Sequence, residues 1–550
     1  GTKNTSNVGA DSTRIVTNSA TGTSTLTVGN GNGTGTFNGV INDGGAGKIV
    51  ALTKTGTGTL TLVGDSNYSG VTTISAGTVS ISHANALGST TGNTTIATNG
   101  NVMRLNLIGN ITTAENITIT GATEASGFNP VISGAGTLSG TITLSGLTNG
   151  IRMGGVTFSG TIQQIGSSQF LALAGTTVNN AINNNGGDLQ INVGTSTLKG
   201  VSGSGIGNTR LVQNGVLVLG ISNALNTTAN LTLGAFGATD NGTFSLNGFN
   251  QTINILNTGG AGSGTRIVRN NHGSTASTLT VGNGGGSGTY DGTIVNGAAG
   301  TLAITKTGAG TQTLSGANTY TGATTVNEGR LIMTNQGATN SSAYSVAGGA
   351  TLEMAVATGT RTMATNSSLS GTGSFVKSGG GTLVWAGASA TWNFGAGALI
   401  DVQGGQITAG SNANDVWTNN KADLNVAAGA TFDAAEGSSL ANGGVFVDAL
   451  SGAGTIKVGY TAGGPYGNMI TFGVDNGSGT FDGVLANSTT AGNYTKAGNG
   501  TQILSGANTY TGNTTVNAGV LAVNGSLANT ATTVASTTSA RLQGSGLIVG

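Results

Sequence analysis

Three tryptophans and a run of carboxylates share one stretch of this 550-residue chain. Trp385, Trp392 and Trp417 are its only tryptophans, and Asp401, Asp415, Asp423, Asp433, Glu436 and Asp448 form its densest acidic run. Asp401 and Asp423 are separated by about one period of a fold that repeats roughly every 20 to 24 residues, and so are Asp415 and Glu436. Such spacing stacks carboxylates on neighbouring turns. Paired carboxylates are the acid and base of glycoside hydrolysis, and indoles beside them make a sugar-binding face. The candidate carbohydrate contact is therefore Trp385, Trp392, Trp417, Asp415, Asp423 and Glu436, within the segment 385–448. The competing reading carries more weight: an irregular segment whose tryptophans fill a widened core or cap, and whose acids are solvated.

Other chemistry is thin. His83 and His272 are far apart and match no metal or triad pattern, so turn or surface positions are expected of them. Cys is absent, which excludes disulfides, thiolate metal sites and Cys nucleophiles. Gly-rich strings such as "GNGGGSG" are not followed by Lys-Ser/Thr or a helix start, so they are no phosphate loop. No periodic-Asp calcium nonapeptide occurs. We expect no cofactor, no metal and no catalytic residue. Eighteen basic and 18 acidic residues give zero net charge and no footprint for nucleic acid.

The elements that would position any site are written in repeats. "TKTGAGTQTLSGANTYTGATTVNEGRLIM" (Thr305 to Met333) has close copies at Leu52 to Ile81 and Tyr494 to Val523. Counting from Lys54, Lys306 and Lys496, Gly stands at +2, +4, +16 and +23, and Tyr at +14. Aliphatic residues stand at +20, and at +25 and +27 as Val79/Ile81, Leu331/Met333 and Leu521/Val523. A partial fourth copy begins at Lys377. A Gly-rich phrase with an aromatic (Phe37, Tyr290, Phe481) precedes each full copy. The paired phrases span 28–81, 281–333 and 472–523. Lysines and tyrosines at equal offsets argue for structural roles, at a turn and a corner.

Gly is 102 of 550 residues and Pro 2, charged residues are 7 %, and 36 % are hydrophobic. That balance fits neither collagen nor charged disorder. Period-2 alternation in "TLTLVG" and "GTVSIS", between Gly and Asn turns, reads as short strands. Strands this short need neighbours, and stacked equivalent rungs supply them. The expectation is all-β: one continuous, elongated β-solenoid rod over 1–550. Leu, Ile and Val at +8, +20, +25 and +27 fill its interior, with Thr72, Thr324 and Thr514 facing inward beside them. Some 25 rungs at ~4.8 Å would make a rod on the order of 120 Å. Tandem β-sandwiches would show linkers and periods near ~100 residues, and the chain shows neither.

The phrase K-x-G-x-G-T-x-x-L-S-G-x-N-T-Y-x-G-x-T-T-V-x-x-G-x-L, at Lys306 to Leu331, resembles the autotransporter-associated β-strand repeat, also called the passenger-associated transport repeat. "LNGFNQTINIL" at Leu246 to Leu256 resembles another phrase of such passengers. The resemblance implies a right-handed parallel β-helix. It also implies a passenger of a Gram-negative bacterium, displayed on the cell surface or secreted, and exported through the outer membrane by a C-terminal β-barrel that is not present in this chain. The repeat is tied there to folding and secretion, not to catalysis.

No stretch of 18 apolar residues occurs, and Gly1 to Ala10 does not read as a signal peptide. "ARLQGSGLIVG" stops mid-pattern, so the natural polypeptide is expected to run past Gly550. The functional expectation is a non-enzymatic adhesin or self-association rod. Its partners would be itself, rod to rod or end to end, and host or environmental glycans. The alternatives are a structural subunit of an extracellular fibre or coat, and a polysaccharide-binding or polysaccharide-cleaving β-helix using 385–448.

Overall fold

A computed structural model describes residues 13–99, 103–122, 130–166, 169–202, 205–234, 240–260, 264–334, 341–363, 367–385, 390–409, 417–434, 444–459, 469–528, 530–537 and 539–549. Among them the chain is all-β without an α-helix, in strands mostly three to seven residues long. The strands pair in parallel with the strand one coil earlier and one coil later, the pattern of a β-solenoid of about 20 turns. Parallel stacking excludes tandem sandwiches, whose sheets are antiparallel.

The coils differ in circumference. Leu171 stacks on Leu189 in a narrow coil, and Gly452 stacks on Phe481 in a wide one. The three close copies lie near the narrow end. There Leu60 stacks on Val79, Gln312 on Leu331 and Gln502 on Leu521, the same step in each copy.

The chain forms two compact units. The first comprises Gly1–Ile253 and Asn257–Ile267, the second Asn254–Leu256 and Val268–Gly550. In the first, one face is an eight-stranded parallel sheet running from Gly22–Val28 through Lys48–Lys54, Thr72–Ile74, Thr94–Asn99, Ile117–Ala122, Ile142–Ser145 and Ile162–Ile165 to Ile182–Asn183. In the second, the longest face has 12 strands, from Gly288–Tyr290 to Arg541–Gln543.

Alternation decides which side chains enter the core. In Thr311–Leu314, Gln312 and Leu314 are buried and their neighbours half-buried. The predicted interior is the observed one. Leu62, Leu314 and Leu504 (+8), Ile74, Val326 and Val516 (+20), and the pairs at +25 and +27 are all buried, as are Thr72, Thr324 and Thr514.

Candidate functional site

The sugar-binding reading of 385–448 fails at its tryptophans. Trp385 ends the strand Thr382–Trp385, Trp392 lies in Thr391–Phe394, and Trp417 opens a turn closed by Asn420 N–H to Trp417 O. All three are at most 1 % exposed. They form an internal aromatic stack. Trp385 meets Tyr344 and Phe375 edge-on, each at 5.4 Å. Trp392 lies parallel to Trp417 at 4.4 Å, and Trp417 meets Phe432 edge-on. No indole face remains for a ligand. The cause is circumference. Here Phe375 stacks on Ile400 and Leu424 on Leu450, steps several residues longer than that from Gln312 to Leu331. A wider coil encloses more volume, and large rings fill it.

The carboxylates fare similarly. Asp415 and Glu436 lie outside the described residues. Asp423 is half-buried, and its Oδ1 accepts Ala449 N–H at 2.9 Å. Burial raises its pKa, against that hydrogen bond, and Asp448 adds to the rise. Asp448 Oδ1 accepts the N–H groups of Asp475 and Gly477, both at 2.8 Å. Asp401 binds Gln403 and Asn425 side chains. These acids hold coil to coil. The described part of 385–448 is built of stacked strands like its surroundings.

His83 and His272 hold turns. His83 Nδ1 accepts Asn85 N–H, and His272 Nδ1 accepts Ser274 and Thr275 N–H.

What recurs instead is a buried lysine. Lys54, Lys306 and Lys496 sit in inward columns, between Val28 and Ile74, Val281 and Val326, and Phe472 and Val516. Each ammonium turns into the corner after its strand and donates to three backbone carbonyls. For Lys306 these are Thr307 O (2.6 Å), Gly308 O (2.6 Å) and Glu328 O (3.3 Å). For Lys54 they are Thr55 O, Gly56 O and Ala76 O, and for Lys496 Ala497 O, Gly498 O and Ala518 O. Two carbonyls belong to the lysine's own turn and the third to a turn of the next coil, so the side chain clips one coil to the other. Three acceptors match the three N–H bonds of an ammonium, which is what makes a buried cation tolerable. Burial still lowers the pKa of all three lysines.

Lys377 makes the same clip, to Ser378 O, Gly379 O and Gly404 O. It does so on a different face, stacked between Met354 and Val402 of the 12-stranded sheet. Its third acceptor lies farther along the chain than in the other clips, because its coil is longer. Burial pushes its pKa down to about 8.

Two glycines make room for each clip. Gly308 and Gly329 have φ of +65° and +64°, a conformation that L side chains rarely adopt. A Cβ on Gly329 would also lie 2.5 Å from Gly308 O.

The tyrosines are corner residues, as their offset implies. Tyr68, Tyr320 and Tyr510 are fully buried, and each hydroxyl bonds the inward threonine four residues on: Thr72 (2.6 Å), Thr324 (2.7 Å) and Thr514 (2.6 Å).

A third device was not visible in the sequence. Gln502 is in register with Gly479, and a Cβ on Gly479 would overlap Leu450 O in the coil beyond. The Gln502 side chain reaches past the glycine. Its Oε1 accepts Leu450 N–H and its Nε2 donates to Leu450 O, both at 3.0 Å. Gln312 does the same to Leu256. The Gln–Gly coupling is readable only when the register is known.

Compared with known proteins, three segments match one family, the passenger-associated-transport-repeat: residues 52–81, 304–333 and 495–523. No curated protein and no solved structure matches the chain. The matches begin within two residues of the three clip lysines and contain the Tyr–Thr corner and the positive-φ glycines. This chain carries three passenger-associated-transport repeats and in them matches the repeats of autotransporter passengers.

Proposed function

We propose that this chain is a non-enzymatic passenger, secreted or held on the surface of a Gram-negative bacterium, that acts as an adhesive and self-associating solenoid. The passenger part of the reading rests on the repeats and the solenoid. The adhesive part rests on one observation, an uncharged threonine column.

On the outer side of the eight-stranded sheet, Thr27, Thr53, Thr73, Thr95, Thr118 and Thr143 stand in register on six consecutive coils, followed by Gln163 and Asn183. A parallel column, Ala97, Thr120, Ser145 and Ile165, lies two residues along each strand. Neither column holds a charge. A flat face of hydroxyls and methyls, one coil apart, suits interdigitation with a like face or the hydroxyls of a glycan. Without charge, two such faces approach without repulsion. The burial of the tryptophans and the structural use of the acids in 385–448 support the non-enzymatic part.

The test is light scattering and cell-aggregation assays on the chain and on Thr95→Lys/Thr118→Lys. Outward lysines should abolish self-association and leave the melting temperature within a few degrees. Association undiminished by the lysines would refute the reading of this face.

A further inference from the structure

One buried group in the first unit belongs neither to the lysine clips nor to the threonine face. The eight-stranded sheet is entered at a corner where backbone packs on backbone. Gly70, Gly92, Gly140 and Gly160 each stand two residues before the first inward side chain of their strand: Thr72, Thr94, Ile142 and Ile162. A Cβ on Gly92 would overlap Gly70 O, one on Gly140 would overlap Glu115 O, and one on Gly160 would overlap Gly140 O. From Gly70 to Gly160 the corner is a glycine column with one exception, and it is flanked by Val50 before and Asn180 after. In the coil between Gly92 and Gly140 the place belongs to Glu115, two residues before the inward Ile117.

The coil that carries Glu115 is irregular. Its strand Met103–Thr113 keeps register with Ile132–Leu138 up to Leu107, opposite Gly134, and resumes at Ile111, opposite Gly136. The bulge adds two residues shortly before the corner, and bulges re-aim the side chains beyond them.

The Glu115 side chain does not reach solvent. The residue is 2 % exposed, and Thr94 Oγ1, from the inward column of the preceding coil, donates to Oε1 at 2.9 Å. Its own N–H meets Thr113 Oγ1 at 3.4 Å. Among the described residues, the titratable group facing the carboxyl is Tyr68, two coils earlier, whose hydroxyl bonds Thr72 Oγ1. The preceding coil offers Thr94, and the following strand Ile142–Ser145 carries no titratable side chain. On Glu115's own coil, Arg104 sits at a half-buried outward position between the inward Met103 and Leu105. Among the described residues no cation offsets the carboxylate.

We propose that Glu115 is a pH-operated latch at this corner: the neutral acid is a stable core group bonded to Thr94, and the carboxylate loosens the coils on either side. Burial supplies the bias, pushing the pKa from 4.5 up to about 7 against the Thr94 hydrogen bond. The folded state therefore holds the proton more tightly than the opened state. Stability of the corner is complete below about pH 4.5 and is lost progressively as pH rises to about 7. The latch changes state between mildly acidic and neutral surroundings.

Hydrogen exchange on the whole chain tests it, corrected for the intrinsic pH dependence of exchange. Between pH 5 and pH 8, protection over Thr94–Asn99 and Ile117–Ala122 should fall at least about tenfold. The distant strand Thr311–Leu314 serves as control. Glu115→Gln keeps the shape and removes the ionisation, so its protection should not vary over that range. A flat wild-type profile, or a Glu115→Gln chain that still loses protection, overturns the proposal. Should that variant not fold, Thr94→Val replaces it. Losing the hydroxyl that favours the carboxylate should deepen the loss and end it at higher pH, and an unmoved profile would overturn the proposal equally.

Discussion

Trp392 and Trp417 stack face to face inside the second unit, with ring centroids 4.4 Å apart and planes 12° from parallel. Two residues that read in sequence as a sugar platform are thus each other's ligand. Truncating Trp417 to Ala should cost about 3–5 kcal/mol, seen as a lower denaturant midpoint for the second unit. In the native chain, iodide should leave indole emission unquenched and soluble oligosaccharides should not shift it. Ready quenching would contradict the buried stack.

The lysine clips make a sharper stability prediction. Lys306→Met keeps the length and apolar stem but strands three carbonyls at the corner. At about 1–3 kcal/mol for one buried polar group left unsatisfied, the variant should be destabilised by at least about 2 kcal/mol. An exposed lysine on a turn would give nothing measurable, so a neutral result in chemical denaturation would dismiss the clip.

Two glycines of like backbone separate strain from crowding. Gly349 has φ +80° and open space where a Cβ would go, whereas Gly329 has φ +64° with backbone against it. Gly349→Ala should cost about 1 kcal/mol, the penalty of the left-handed conformation alone. Gly329→Ala should cost several times more and reduce the yield of folded protein. Equal effects would mean that the coils do not stack as closely as described.

Lys377 gives stability a pH slope on the alkaline side. Its pKa is lowered from 10.5 to about 8 in the folded chain. Between those values the unfolded chain binds the extra proton, so its contribution to stability rises with pH. Comparing melting temperatures at pH 8 and pH 10, Lys377→Met should show a smaller rise than the parent chain. An identical slope in the two proteins would assign it to other groups.

Much of the architecture was legible because solenoid stacking enforces equal offsets. Leu314 and Val326 could be placed in the interior, and Tyr320 at a corner, from their recurrence. Lys306 was legible only in part: its fixed offset showed a structural role, while period-2 alternation does not reveal that a cation sits in the core column. Trp392 allowed two readings, a sugar platform and a filled core, because residue type names a chemistry but not a side of the wall. The expected rung of roughly 20 to 24 residues lies between the shorter step inside the recurring phrases, as from Gln312 to Leu331, and the longer one from Leu424 to Leu450, and the wider coils share no phrase from which length can be read. Glu115 gave no signal at all. Its meaning appears only beside Gly92 and Gly140, once the register is known.

The glutamines that reach past Gly288 and Gly479 change how such a chain comes apart. In a plain stack each turn interacts with the one before and the one after, and its melting follows a nearest-neighbour chain. Gln502 bonds Leu450, 52 residues away, across an intervening coil. It thereby adds a second-neighbour coupling to that one-dimensional system. A single coil there cannot fray alone, because peeling one breaks a bond anchored two coils off. The cooperative length grows near Gln312 and Gln502, and mechanical pulling should release these regions as blocks of three coils rather than one at a time.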